Sequence, residues 1–338
     1  MSTKILVNEK GLPETLPANE TGYLSNKRTG ILIYASLFAV SLVLPVMITN
    51  EYILRIIIMV WIYSILALGL NFIVGFTGLL SFGHAAFYGI GSYVTAILMA
   101  QYGFNFFPVL AVSWGVTFIF GFLLGLPVVR IRGDYLVLVT LAFGEIFRLL
   151  MQGWQSLAGG QMGIVGIPPP SIFGFRIISN FHFYYLGLAL TVFTFAVLGF
   201  LANSKIGRAM IAIREDELAA SAMGINTAFY KLLNFAIGTG FAGIAGSFLA
   251  VYLSAIAPSN FTLGESVLMI VMVIVGGMGS LPGSIVGAAV LLFATELFRS
   301  VYQYRLLIIG LIMVVVLLWR PQGIMGLEAW QRSKKKRS

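Results

Sequence analysis

Residues 53–75 of this chain read ILRIIIMVWIYSILALGLNFIVG, an almost unbroken run of apolar side chains. About 20 apolar residues in a helix span the hydrocarbon core of a bilayer. Similar windows recur at 30–48, 79–100, 107–127, 135–151, 183–202, 232–255, 264–279, 283–298 and 304–319. The sequence therefore predicts an all-α polytopic membrane protein with about ten transmembrane helices.

The composition of the chain favours the same class. Hydrophobic residues make up 59% of the 338 residues and charged residues only 10%, far from the balance of a soluble domain. Backbone N–H and C=O groups must be hydrogen-bonded within lipid, which allows only helices and closed barrels. Long apolar runs favour helices, because barrel strands alternate apolar and polar residues. With no cysteine and two histidines, the sequence offers no disulfide, no thiolate metal site and no multi-histidine cluster, so we expect no metal or cofactor.

The basic residues predict the orientation, since Lys and Arg are retained on the cytoplasmic side of a membrane. With ten spans both tails share one side, and most of the 21 basic residues fall there. We therefore expect a cytoplasmic tail at 1–29, a transmembrane domain at 30–320 and a basic cytoplasmic tail at 321–338. The net charge of +9 then reflects topology, and no nucleic-acid-binding motif accompanies it.

One polar segment interrupts the apolar chain: residues 204–231 read SKIGRAMIAIREDELAASAMGINTAFYK. Ile211, Leu218, Ala222 and Ile225 recur at helical spacing, and small residues let another surface approach closely. Gly224 can take the left-handed conformation that ends a helix. We interpret the segment as a helix offered to a cytoplasmic partner; the alternative is an ordinary charged loop.

A second polar stretch is the predicted outward loop, residues 152–181, which is rich in Gly and Pro. Such residues favour turns and extended backbone over regular helix. The loop is interpreted either as a docking surface for an external protein or as a plug that covers the membrane domain.

A glycine motif occurs twice: IVGFTG at 73–78 and IVGGMG at 274–279. Glycine clusters at matching places in two halves of a membrane protein predict an internal repeat with interrupted helices around a pathway. The alternative is close helix packing through small residues. The residues that this interpretation places on the pathway are Asn71, Gly75, Thr77, Gly78, Ser81, His84, Gly276 and Gly279.

Glu145 is a further pathway candidate, because an ionisable group near the middle of a span normally faces a cavity or a partner. The alternative is a helical ion pair with Arg148, three residues on. No phosphate-binding loop and no Gly-Lys pair occur, so any ATP is hydrolysed by another subunit. His84 and Ser81 form no nucleophile–base set, and we expect no catalytic residue and no enzyme activity.

Five motifs, in order along the chain, resemble signatures of the branched-chain amino acid permeases of bacterial ABC importers, and of their M-type subunit. They are GLLSFGHAAF (78–87), RGDYL (132–136), GEIFR (144–148), GRAMIAIREDE (207–217) and RPQG (320–323). The resemblance covers about residues 30 to 328 and leaves the N-terminal tail without explanation.

The resemblance implies the type II architecture of vitamin B12 importers, with about ten helices per permease. It makes residues 204–231 the coupling segment that fits into a cleft of an ATP-hydrolysing subunit. The coupling residues it implies are Gly207, Arg208, Arg214, Glu215, Asp216, Glu217, Ala219, Ala220 and Gly224. The chain departs from the usual Glu-Ala-Ala-x-x-x-Gly pattern, because Leu218 stands at the glutamate position and Glu217 one residue earlier.

The partners implied are a second, H-type permease, two ATP-binding cassette subunits, a periplasmic or lipid-anchored substrate-binding protein and membrane lipid, in a bacterial plasma membrane. The function implied is half of the pathway of an ATP-driven importer for branched-chain or other neutral amino acids. A urea or short-amide importer of the same architecture is the first alternative. An ion-coupled secondary transporter is the alternative from another class.

Overall fold

A computed structural model describes residues 41–48, 50–129, 134–172, 175–297, 305–320 and 322–325. The chain divides into an N-terminal unit, Met1–Thr49, and a main unit, Asn50–Ser338. In the first unit, residues 41–47 form helix α1. The predicted tail 1–29, most of the predicted span 30–48 and most of the tail 321–338 lie outside the described residues.

The main unit is helical, and its elements follow the apolar windows. Its helices are α2 (Glu51–Thr77), α3 (His84–Ala96), α4 (Phe106–Val128), α5 (Asp134–Gly153), α6 (Gln155–Ala158), α7 (Asn180–Asn203), α8 (Lys205–Glu215), α9 (Glu217–Ala222), α10 (Thr227–Leu253), α11 (Leu263–Gly276), α12 (Leu281–Leu297) and α13 (Arg305–Trp319). A π-helical turn, Ile97–Gln101, extends α3, and 3₁₀ turns lie at Gly160–Met162 and Pro258–Asn260.

Six stretches among the described residues are long and apolar enough to cross a membrane: Glu51–Thr77, Phe106–Val128, Tyr135–Gly153, Asn180–Asn203, Thr227–Leu253 and Pro258–Gly276. Leu281–Leu297 is apolar but shorter, and α3 and α13 have 13 and 15 residues. The prediction of a multi-pass helical membrane protein is therefore supported, whereas ten spanning helices remain a prediction.

Helix α10 forms the centre of the bundle and packs against α2, α3, α4 and α7. Of the residues in its most apolar 18-residue window, 83% are buried, whereas in the corresponding window of α5 only 17% are buried. Glycines make the close approach possible: a Cβ added to Gly91 of α3 would lie 2.4 Å from the Cα of Gly243 in α10. Small-residue packing, which was one interpretation of the glycine-rich helices, is thus a real feature of this core.

The predicted outward loop 152–181 is partly ordered by short strands. Strand β1 (Ile164–Val165) pairs antiparallel with β4 (Ala255–Ile256), which follows α10. Strands β2 (Ser171–Ile172) and β3 (Phe175–Arg176) pair with each other. The pairing with β4 fixes the loop to the end of the central helix.

Candidate functional site

The two glycine motifs both interrupt helices. Helix α2 ends at Thr77, Gly78 takes a left-handed conformation (φ 74°), and α3 begins only at His84. Helix α11 ends at Gly276, and α12 begins at Leu281. The predicted span 79–100 is accordingly broken at its start. The two breaks also differ, because α12 packs back on α11, whereas α3 packs on α4, α5 and α10.

The two breaks meet at Asn71, and we call residues 71–84 together with 276–284 the glycine junction. Asn71 Nδ2 donates to Ser280 O at 2.9 Å and to Ser284 Oγ at 2.7 Å. The N–H of Gly279 donates to Asn71 Oδ1 at 2.8 Å. One buried amide therefore bonds to the break itself and to the first turn of α12, where it pairs the N–H of Gly279.

Gly75 makes this approach possible. A Cβ at Gly75 would lie 2.2 Å from Asn71 Oδ1 and 2.3 Å from the backbone nitrogen of Gly279. At the partner side, a Cβ on Gly276 would lie 2.1 Å from Gly283 O. Gly75 of the first motif and Gly276 of the second are thus positions of close backbone contact.

Asn234 of α10 also contacts the junction. Its Nδ2 donates to Thr77 Oγ1 at 2.7 Å, and Thr77 Oγ1 donates to Ile73 O at 2.9 Å. Sequence reasoning missed Asn234, although a lone amide inside the apolar window 232–255 was a usable signal.

The pathway residues predicted from the sequence are mostly interior in this conformation. Asn71, Ser81 and His84 have no solvent exposure, and Thr77 has 5%. Gly78 is exposed, whereas Gly75, Gly276 and Gly279 are buried. Asn71, Thr77 and Gly276 make contacts between helices here, and the role of the whole set in lining a pathway remains a prediction.

The coupling segment, residues 204–231, consists of two short helices and not one. Asp216 adopts extended backbone (φ −155°, ψ 109°), ends α8 and caps α9. Its Oδ1 accepts from the N–H groups of Leu218 at 2.8 Å and Ala219 at 3.0 Å. The interpretation of the segment as a single helix is therefore wrong, because Asp216 ends one helix and caps the start of a second.

Helix α9 ends as Gly224 predicted. Gly224 has φ 83°, its N–H donates to Ser221 O at 3.0 Å, and the N–H of Ile225 donates to Ala220 O at 3.1 Å. This pair of bonds is a Schellman motif, which uses a left-handed residue after the helix.

Two contacts tie the coupling segment to the bundle. Arg214 Nη1 donates to Gly75 O at 2.5 Å, at the first glycine motif. Lys231, near the start of α10, pairs through Nζ with Glu217 Oε2 at 2.6 Å, and its side chain is only 7% exposed. The segment is thus joined both to the end of α2 and to the central helix.

The predicted coupling residues divide into inward and outward positions. Gly207 and Ala220 are buried, and a Cβ on Gly207 would lie 2.1 Å from Ala202 O. Arg208, Arg214, Glu215, Asp216, Ala219 and Gly224 are exposed, and Glu217 is intermediate. We call the exposed face of α9 and its end the docking surface: Leu218, Ala219, Ser221, Ala222 and Met223. Leu218 is 71% and Met223 83% exposed.

Glu145 and Arg148 form the helical ion pair that was the alternative to a pathway role. Arg148 donates from Nε at 2.9 Å and from Nη2 at 2.7 Å, both to Glu145 Oε2. The two side chains remain 35% and 26% exposed on α5. Within the described part of the chain, no group of three or more His, Cys, Asp or Glu side chains is placed to hold a metal ion.

The comparisons with known proteins agree with one another. The model of the family "Branched-chain amino acid transport system / permease component" matches residues 52–317. The high-affinity branched-chain amino acid transport system permease protein LivM of Salmonella typhimurium is 36% identical, over 99% of this chain and 83% of the relative. LivM of Escherichia coli K12 is 38% identical, over 81% of this chain and 70% of the relative.

A third relative, the branched-chain amino acid permease protein BraD of Pseudomonas aeruginosa, is 29% identical over 78% of this chain and 91% of its own length. No solved structure matches the chain. The match to the family model covers both glycine motifs and the whole coupling segment. The chain belongs to the branched-chain amino acid transport permease family.

Proposed function

We propose that this chain is one transmembrane permease subunit of an ATP-driven importer of branched-chain amino acids and that residues 204–231 couple it to separate ATPase subunits. The observation that carries the coupling is the two-sided construction of that segment. Leu218 and Met223 face outward, whereas Arg214 and Glu217 bond inward to Gly75 O and Lys231.

The coupling mechanism follows from these contacts. ATP binding draws two ATPase subunits together, and an element held in their clefts must move with them. Movement of α8 pulls on the Gly75 carbonyl at the end of α2, and movement of α9 pulls on Lys231 of α10. Both links lead to the glycine junction, where Asn71 and Asn234 hold the interrupted helices.

The proposed assembly contains a second permease of the H type, two ATP-binding cassette subunits and an external substrate-binding protein. Similarity to proteins of both kinds supports a permease pair: LivH of Salmonella typhimurium is 28% identical over 78% of this chain. We propose ten transmembrane helices in the type II arrangement, with both termini in the cytoplasm.

The substrate follows from the relatives. The relatives reported above are named as branched-chain amino acid permeases, which favours that substrate class over urea or short amides. The alternative of an ion-coupled secondary transporter differs from this proposal in its energy source. It predicts uptake by this chain alone under an ion gradient.

The test is reconstitution in liposomes, with and without the partner subunits. Leucine should accumulate only when the second permease, the ATPases, the binding protein and ATP are present. Accumulation by this chain alone under a proton or sodium gradient would refute the proposal.

The coupling role of the docking surface is tested by a double variant, Leu218→Ala combined with Met223→Ala. ATP-driven leucine uptake should fall by about tenfold or more, because the centre of a docking interface loses its apolar anchors. Leu311→Ala, an exposed apolar position on α13, is the matched control. Wild-type uptake in the double variant would remove the coupling role from this surface.

A further inference from the structure

Helix α5 lies at the edge of the bundle, where it packs on α3 and α11. Leu136, Thr140 and Phe147 lie on the packed side and are at most 7% exposed. The other residues from 135 to 153 are exposed or half-buried. Most of the surface of this helix is therefore left for contact with something other than this bundle.

The outward side of α5 carries a stripe with the spacing of a helix–helix contact. Its members stand at positions i, i+4, i+7, i+11 and i+14, the repeat by which the side chains of two helices interlock. They are Leu138, Ala142, Glu145, Leu149 and Gln152. Leu138 is 60% and Leu149 56% exposed, Ala142 is exposed as well, and the two polar members are half-buried. We call these five residues the α5 seam.

The carboxylate in the seam does not suit contact with lipid. Glu145 lies one residue past the middle of the 19-residue membrane-length stretch Tyr135–Gly153. Its side chain stays 35% exposed even with Arg148 bound. Charged groups within a span normally face water or protein, because hydrocarbon solvates them poorly. Since Leu138 and Leu149 on the same face are large and apolar, the surface suits packed protein better than water.

Helix α4 shows how a lipid-facing surface of this chain is built. It contains no Asp, Glu, Lys or Arg, and its hydroxyl residues Ser113 and Thr117 are buried. Its outward residues Ile119, Phe120 and Leu123 are apolar and 45–56% exposed. The exposed middle of α4 is thus apolar, as lipid requires, whereas the exposed middle of α5 carries an ion pair.

This ion pair has unused bonding capacity. Arg148 donates from Nε and from Nη2, and both bonds end on Glu145 Oε2. Within the part of the chain that the structure describes, no hydrogen bond reaches the other oxygen, Glu145 Oε1. An ionised carboxylate accepts bonds at both oxygens, and polar side chains bond between helices inside membranes. A donor on a neighbouring transmembrane helix would complete the pair.

The position of the seam selects the kind of partner. It lies inside a membrane-length stretch, so a membrane-embedded subunit can reach it, whereas ATPase subunits and an external binding protein cannot. A second copy of this chain, related by two-fold symmetry about an axis across the membrane, would place Glu145 opposite Glu145. A different permease with a donor at that depth avoids this repulsion.

We propose that the α5 seam is the surface through which this chain binds the second permease of the transporter. Leu138, Ala142 and Leu149 pack against one transmembrane helix of that subunit, and the small Ala142 at the centre permits close approach. A hydroxyl, amide or basic side chain of the same helix donates to Glu145 Oε1. The proposal rests on the proposed function, which supplies the second permease, and adds the helix and the side chains that hold it.

Photocrosslinking tests which molecule covers the seam. In the complete transporter in liposomes, p-benzoylphenylalanine replaces Leu149 or, as the matched control, Ile119 of α4, which is equally exposed at 56%. Under ultraviolet light the Leu149 variant should join to an epitope-tagged second permease, and the Ile119 variant should give no adduct with it. An adduct with a second copy of this chain, no protein adduct at Leu149, or equal adducts from both positions would overturn the proposal.

A second test uses the small residue at the centre of the seam. Ala142 is exposed, so Ala142→Trp should leave the thermal unfolding of the isolated chain as in wild type. Co-purification of the second permease in mild detergent should fall about tenfold or more, because a large side chain between two packed helices forces them apart. Ala111→Trp, at an exposed alanine of α4, is the matched control and should stay within about twofold of wild type. Wild-type co-purification with Ala142→Trp would overturn the proposal.

Leucine uptake by the wild-type transporter keeps the two proposals apart. ATP-driven uptake without any adduct between Leu149 and the second permease would leave the proposed function standing and overturn the seam. An adduct between Leu149 and the second permease without ATP-driven uptake would support the seam and overturn the proposed function.

Discussion

The glycine junction and the coupling segment use the same residue types in opposite ways. At the junction, Gly75, Gly276 and Gly279 are buried, and Gly75 brings two backbones into contact. In the coupling segment, Gly224 has no atom within 4 Å of an added Cβ, and the small residues of α9 mostly face outward. Small residues in this chain therefore occur in two settings: where two helices are already packed closely, and on an exposed surface that a partner could approach closely.

This contrast predicts different consequences of mutation. Changes at the junction should reduce stability first, because Asn71, Thr77 and Gly279 already have hydrogen-bond partners inside the chain. Changes in the coupling segment should reduce ATP-driven uptake while leaving stability nearly intact, because its outward groups have yet to meet theirs.

Asn71→Leu should have the largest effect on stability. It leaves the buried N–H of Gly279 without a hydrogen-bond partner, which costs about 1–3 kcal/mol, and it removes one hydrogen bond each from Ser280 O and Ser284 Oγ, at about 0.5–1.5 kcal/mol each. We expect a loss of about 2–5 kcal/mol, measured by thermal unfolding in detergent. Asn203→Leu, at an exposed amide on α7, is the control. A melting temperature near wild type for Asn71→Leu would contradict the expectation that the glycine junction depends on Asn71 for its stability.

Gly75→Ala should come next. The added methyl group would meet the Gly279 backbone, and overpacking costs about 1–3 kcal/mol. Gly115→Ala on α4 is the matched control, because no atom lies within 4 Å of its added Cβ. Stability is again measured by thermal unfolding in detergent. Equal stability of the two variants would show that the backbones of Gly75 and Gly279 can move apart without loss of stability.

Asp216→Ala should act mainly on function. Loss of the cap destabilises α9 by about 0.5–2 kcal/mol, which disorders the docking surface more than the bundle. We expect the melting temperature to change little and leucine uptake to fall. Asp216→Asn keeps a capping oxygen and should restore most of the uptake. A loss of uptake in Asp216→Asn equal to that in Asp216→Ala would assign the effect to charge.

Glu215→Gln should have the smallest effect. The side chain is exposed, and exposed ion pairs contribute about 0–1 kcal/mol, so uptake should fall by no more than about fivefold. The measurement is ATP-driven uptake beside that of the Leu218 and Met223 double alanine variant. A larger loss for Glu215→Gln than for the double variant would show that charge, and not apolar contact, dominates docking.

Much of the fold could be predicted from the sequence, because each helix that spans a bilayer needs about 20 mostly apolar residues. Apolar runs predicted α2, α4, α5, α7 and α10 to within a few residues, and the two glycine motifs marked both helix breaks. The single coupling helix was wrong for a local reason. Asp216 followed by Glu-Leu-Ala-Ala is a good helix cap, and this local signal indicates a second helix beginning at Glu217.

The membrane class, the positions of the helix breaks and the polar segment between α7 and α10 could all be predicted from the order of residues. These features depend on residues close together in the chain. Which polar groups meet depends instead on how the helices pack: Asn71 bonds to Gly279, Arg214 to Gly75 and Asn234 to Thr77. The members of each pair are more than a hundred residues apart, at 208, 139 and 157 positions. Helical periodicity fixes the direction of a side chain on its own helix, but its partner is set by packing between distant helices.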